Sequence, residues 1–282
     1  MASANVIKQP AAAPWALRDL PAFPPVATRL MQLLAHQEVE IRRLIELLRT
    51  DVALSSEILR RANSALYGLT SQVSSLQHAV LLLGFDQVRA LGMAVAMGSY
   101  VKTALKLQPL RKCWRHSVAC ALVSEELAKA SYLEHDRAYT AGLLHDIGLL
   151  GLMVNYPREY SNMLAVANDN CFDLRQTERD LFEVDHGVAG SWLAAQWKFP
   201  EEIAEAAEFH HETPAPGGFR LLGLVQWSCR IATAMGYEVV KPPEPLSYAE
   251  IHAQLPAPVQ QRFPATIEEM RAKVDPRVKS LE

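Results

Sequence analysis

An all-α fold is predicted for this 282-residue chain by three observations: helical spacing of apolar residues from Leu20 onward, recognisable helix punctuation between the segments, and scarce strand-like alternation. Val26, Leu30, Leu33 and Leu34 form the first apolar stripe, Ile41, Leu44, Leu47 and Leu48 the second, and Leu54, Ile58 and Leu59 the third. Pro24 stands where the first helix would begin, and Asp51 is a candidate N-cap for the third. Ser75 is a candidate cap for a helix through Ala79, Leu82 and Leu83 that ends at Gly84. Further helices are expected at about 111–130, 137–154, 185–197 and 200–211, the last with Pro200, Glu201 and Glu202 in its first turn, where acidic groups complement the helix dipole. After Gly236, Lys241-Pro-Pro-Glu-Pro-Leu interrupts regular structure before two amphipathic segments, Tyr248 to Gln254 and Ala257 to Lys273.

Composition narrows the function classes. Half of the residues are hydrophobic and 21% are charged, so a substantial core is expected. The formal charge of -3 is spread without a basic run, which argues against direct nucleic-acid binding. Cys113, Cys120, Cys171 and Cys229 form no CxxC pair and suit reduced thiols. The Ala/Pro-rich residues 1–14 read as a flexible tail with no apolar leader, and the apolar run from Ala138 to Val154 is broken by His145 and Asp146. It is too short to span a bilayer comfortably, and a cytoplasmic protein with no membrane partner is expected.

Gly142-Leu-Leu-His-Asp-Ile-Gly148 places two potential metal ligands in an apolar segment, where neither side chain can be buried cheaply without a partner. His116 has Cys113, Ala119 and Cys120 on its helix face; His186 has Phe182, Ala189, Gly190 and Leu193. His210 follows Ile203, Ala206 and Ala207, and His211 follows Ala204 and Ala207. Histidines on inward faces with small neighbours fit a helical bundle whose core holds one or two metal ions. Asn63 and Ser64 read as helix-ending residues that satisfy backbone groups rather than as a ligand site, with Tyr67 beside them. Trp114, Trp192, Trp197 and Trp227 read as packing residues.

The order His116, His145-Asp146, His186, His210-His211 resembles the HD superfamily of metal-dependent phosphohydrolases, and the chain is most similar to its HDOD branch, the HD-related output domains of bacterial signalling proteins. In the first half the resemblance rests on Leu20-Pro21, Phe23-Pro24, Thr50-Asp51, the run from Ile58 to Tyr67, and Ser74 to Ala79 leading to Leu83-Gly84. In the second it rests on Trp114-Arg-His-Ser117, the segment from Ala141 to Gly148, Asp185-His186, Gly190, Trp197, Pro200 and His210-His211. It implies two helical subdomains, 15–107 and an HD-like bundle at 108–236, followed by a C-terminal helical extension at 237–282.

It also implies a metal ligand set of His116, His145, Asp146, His186, His210 and His211, with Cys229 where the last carboxylate ligand usually stands. No Asp or Glu lies between Thr213 and Tyr237. A thiol is soft and a carboxylate hard, so one position is impaired, while Asp146, His186, His210 and His211 could still hold a single transition metal such as iron, manganese, zinc or nickel. The segment from Glu212 to Gly218 does not match the Gly-Tyr-Pro loop associated with cyclic di-GMP hydrolysis. The resemblance thus implies a stand-alone, non-catalytic or weakly catalytic signal-transduction regulator with a signalling protein partner and a nucleotide as candidate ligand. The alternative is a phosphohydrolase acting on a nucleotide or cyclic dinucleotide, with His145 and Asp146 at its catalytic centre.

Overall fold

The computed structural model describes residues 15–18, 25–34, 40–64, 72–102, 104–215, 219–242 and 244–280. The expected tail at 1–14, Leu20-Pro21, Phe23-Pro24, Tyr67 and Gly217-Gly218 lie outside the described residues. The described residues are helical throughout and form no strand. The first half comprises α1 (Pro25–Leu34), α2 (Ile41–Arg49), α3 (Val52–Ala62), α4 (Leu76–Leu83) and α5 (Phe85–Val101). Asp51 caps α3 by accepting from the Leu54 amide at 2.9 Å, whereas Ser75 stands at the N-cap of α4 without a side-chain bond. Asn63 holds backbone at the end of α3: its Nδ2 donates to the carbonyls of Leu59 and Val73, and its Oδ1 accepts from the Val73 amide at 2.7 Å.

Leu30, Leu44, Leu48, Leu54, Ile58, Val80 and Val88 form one apolar cluster beneath these helices. A larger cluster includes Ala90, Met93 and Met97, so α5 turns one face, with Val88, Leu91 and Val95, to the first core and another to the second. The second half comprises α6 (Gln108–Ser131), α7 (His135–Leu144), α8 (Ile147–Asn155), α9 (Pro157–Asn170), α10 (Leu174–Phe182), α11 (His186–Gln196), α12 (Glu201–Phe209) and α13 (Leu221–Ala232). Trp114 and Trp227 are buried in the larger cluster, and Trp192 and Trp197 pack against it. Among the described residues no single helix is long and apolar enough to cross a membrane; α4 and α5, apolar enough together, meet at 110°.

Two segments expected to be single helices are broken. The first is interrupted at His145-Asp146, between α7 and α8. Its flanking glycines explain the break: a Cβ at Gly142 would lie 2.8 Å from the Ala121 Cα and Cys120 carbonyl of α6, and one at Gly148 would lie 2.0 Å from the His186 carbonyl of α11. Two close crossings to different neighbours cannot share one straight axis, so the chain turns between them. The second break, at Pro264, separates α15 (Ala257–Gln260) from α16 (Ile267–Ser280), because proline supplies no amide to continue a helix.

A π-helical turn at Thr233–Tyr237, ending at Gly236 with a φ of 85°, leads from α13 to α14 (Tyr248–Gln254) and the rest of the C-terminal extension. The extension docks through Ile251, Phe263, Met270 and Val274, which join the larger core. Ion pairs clasp α16 to α6, Arg277 to Glu125 at 2.6 Å and Lys273 to Glu126, while Lys129, within α6, pairs with both carboxylates. Burial pushes both carboxyls up, but Arg277, Lys273 and Lys129 more than offset it and hold them below the ordinary 4.5. Depressed carboxyls stabilise the fold above their unfolded pKa and lose that contribution as pH falls through the folded value. The urea midpoint is therefore expected to fall below about pH 4.5, with a shallower acid slope in Glu125→Gln/Glu126→Gln. An identical slope in the double variant would show that other carboxylates carry it.

Candidate metal centre

The break between α7 and α8 lets His145 and Asp146 leave the helical register and face the space enclosed by α6, α11, α12 and α13. His145, Asp146, His186 and His210 are buried, between 0% and 3% exposed. His116 is buried one helix away on α6, and His211 is the exposed member of the set.

Asp146 is the hub, and its two oxygens face different partners. Oδ1 lies 3.3 Å from His210 Nε2 and 3.9 Å from His186 Nε2. Oδ2 lies 3.3 Å from His145 Nε2 and 3.8 Å from His116 Nε2. Burial pushes the Asp146 carboxyl up, yet His145 and His210 hold it well below the usual range. Burial pushes His145 down, and the Asp146 carboxylate more than offsets this and raises it.

The outward ring nitrogens of His145, His210, His116 and His186 are anchored. His145 Nδ1 donates to the Gly142 carbonyl at 2.7 Å, His210 Nδ1 to the Ala207 carbonyl at 2.8 Å, and His116 Nδ1 to the Tyr237 carbonyl at 2.8 Å. His186 Nδ1 donates to Glu178 Oε2 at 2.6 Å, and its backbone amide donates to the same oxygen. Tyr160 donates its hydroxyl to the other Glu178 oxygen. Burial pushes His186 down, but Glu178 raises it to about 8. Anchoring Nδ1 fixes ring orientation and turns the Nε2 lone pairs toward the centre, the arrangement of metal-bound histidines supported by outer hydrogen bonds.

The inner nitrogens test whether the residues fit a metal. The Nε2 atoms of His145 and His210 are buried without a hydrogen-bond partner, and His186 Nε2 and His211 Nε2 lie 2.7 Å apart. Desolvation beside His210 and His186 holds His211 well below its ordinary range even at its exposed position. Converging imidazoles with unsatisfied inner atoms fit a divalent cation. The histidines, Asp146 and the neighbouring thiols form sets of potential donors within 4.8 Å of one another.

All six sequence-predicted residues thus converge, and Cys229 faces the same centre. Sequence reasoning missed three contributors. Cys120, noted only as a face neighbour of His116, lies 3.4 Å from His116 Nε2 and 3.9 Å from Cys229 Sγ. Glu178 is fully buried, and its signal was a carboxylate between Leu174 and Phe182 on the apolar face of α10. The proline-rich segment around Lys241 and Leu246, read as a break, forms one wall of a cavity of about 490 Å³ above His186 and His211.

The family model for the HDOD domain matches residues 20–213. The chain belongs to the HDOD family. An uncharacterised Treponema pallidum protein is 24% identical over 210 residues, covering 72% of this chain and 40% of the relative. The chain thus matches well under half of that relative's length. An HDOD domain protein of unknown function from Geobacter sulfurreducens has the same fold, with a TM-score of 0.71 at 23% identity over 94% of this chain and 92% of that one. A Shewanella amazonensis protein named as a candidate phosphohydrolase gives 0.69 at 24% identity, covering 96% and 99% of the two chains. These HDOD likenesses establish the fold of the bundle; its site chemistry rests on the residues above.

Proposed function

We propose that this HDOD protein is a signal-transduction regulator, non-catalytic or weakly catalytic, that acts by binding a ligand or a signalling protein partner. In this reading Asp146, His186, His210 and His211 hold one divalent transition metal. The metal would supply a fixed positive charge able to bind an anionic ligand group.

One observation carries the reading: on the Oδ2 side of Asp146, where a hydrolytic pair of hard cations would require a second carboxylate, the chain presents Cys120 and Cys229. The cavity beside the cluster supports the ligand part. Its volume of about 490 Å³ falls within the range of small-molecule sites, and Arg175, Arg230 and Lys241 line it with Phe172 and Leu246. Cationic groups beside apolar ones suit an anion with a flat or apolar body, such as a nucleotide.

Protein purified without chelators is expected to retain metal and to hydrolyse bis-p-nitrophenyl phosphate no faster than the metal-loaded His210→Ala variant. Turnover that is well above background and disappears in His210→Ala would replace this reading with that of a metal-dependent phosphohydrolase.

A further inference from the structure

We propose that His116, Cys120, His145 and Cys229 form a closed, thiolate-rich site for a tetrahedral zinc ion, adjacent to the Asp146, His186, His210 and His211 position. The inference rests on the reading of this cluster as metal-holding and assigns its other half a different ion and role.

Distances carry the argument. Two thiolates bound to one tetrahedral zinc at about 2.3 Å lie about 3.8 Å apart, and a thiolate and an imidazole nitrogen about 3.5 Å apart. Cys120 Sγ and Cys229 Sγ are 3.9 Å apart, and Cys120 Sγ is 3.4 Å from His116 Nε2. The sulfurs are far beyond the roughly 2.05 Å of a disulfide. The four donor atoms all lie within 4.8 Å of one another, and all four residues are buried.

The imidazoles are pre-set for the role. His116 and His145 commit Nδ1 to the carbonyls of Tyr237 and Gly142, which leaves Nε2 facing the thiols. His145 Nε2 is fully buried and has no hydrogen-bond partner, so a bound cation would satisfy an atom that the protein leaves without a hydrogen bond. A donor set of two sulfurs and two imidazole nitrogens selects zinc over magnesium or manganese. Binding displaces to solvent the protons held on the two sulfurs and on the imidazole Nε2 atoms.

The consequence concerns catalysis. Four protein donors fill a tetrahedral shell and leave no place for water or substrate, the mark of a structural rather than a hydrolytic zinc. The ion would tie α6, the α7–α8 break and α13 together.

Cobalt(II) loaded into the demetallated full chain is the probe. A near-ultraviolet thiolate-to-cobalt charge-transfer band is expected, reduced to about half in Cys120→Ser and absent in Cys120→Ser/Cys229→Ser. His211→Ala, which touches only the other position, leaves the band in place. X-ray absorption of the unmodified protein loaded with one equivalent of zinc, which the thiolate site takes first, needs no variant and is expected to show about two sulfurs near 2.3 Å. A shell of nitrogen and oxygen alone, or a charge-transfer band indifferent to both cysteines, overturns the inference while leaving the regulator reading standing. Sulfur ligation together with phosphodiester turnover lost in His210→Ala supports the zinc site and overturns the non-catalytic reading instead.

Discussion

Gly148→Ala is expected to be the most destabilising single-methyl addition in the bundle. The added Cβ would meet the His186 carbonyl at 2.0 Å and the Gly190 amide at 2.4 Å, and both are backbone atoms inside α11. Flexible side chains can swing aside, but two packed helices separate only by breaking contacts along their length. Overpacking commonly costs about 1–3 kcal/mol, and a rigid neighbour on both sides puts this site at about 3 kcal/mol or more. A fall in Tm on the order of 10 °C follows for a domain of this size, measurable by circular dichroism. The damage should extend to metal retention, since the same crossing places His186 opposite Asp146. A shift of only a degree or two would mean that α8 and α11 stand further apart than described.

Asp146→Asn is expected to have the largest effect on metal binding of any isosteric change. Among the described residues its carboxylate is the only anionic oxygen donor between the converging imidazoles, and each oxygen faces a different half of the cluster. Asparagine keeps the volume but removes the charge and brings an N–H₂ group against nitrogens that should be ligands. Loss of an outer partner of a ligand typically weakens metal affinity 10- to 100-fold, so loss of this hub should exceed about 100-fold. Glu178→Gln is the internal comparison, because Glu178 acts through the Nδ1 of His186 and should fall within that smaller range. Competition against a chromophoric chelator measures both variants. Equal affinity for Asp146→Asn and the unmodified protein would remove Asp146 from the site.

Much of the bundle was legible because helical periodicity and caps are local. The stripe Leu44, Leu47 and Leu48 marks α2, Asp51 announces α3, and Asp185 caps α11 by accepting from the Val188 amide at 3.0 Å. The breaks at His145-Asp146 and near Pro264 were missed for two reasons. In the first case the apolar pattern continues across the break, and only the close approach of α6 and α11 makes a straight helix impossible. In the second, the segment from Ala257 to Lys273 has an amphipathic rhythm on both sides of its proline.

The histidines of the centre were legible from their inward faces and from the resemblance of their order to a known family. Cys120 and Glu178 were not, because their partners are remote or on other elements: Cys120 meets Cys229 across 109 positions, and Glu178 reaches His186 from the preceding helix. What the sequence by itself determined is the all-α class, the helices with clear stripes or caps, the family and the residue types able to bind a metal, since periodicity, capping and ligand chemistry reside in the side chains themselves. Only the tertiary structure decided how those ligands divide, with one Asp146 oxygen toward His210 and His186 and the other toward His145 and His116, beside which Cys120 and Cys229 lie. That division depends on helix crossings at two glycines, and a crossing is a property of packed backbones that no single segment encodes.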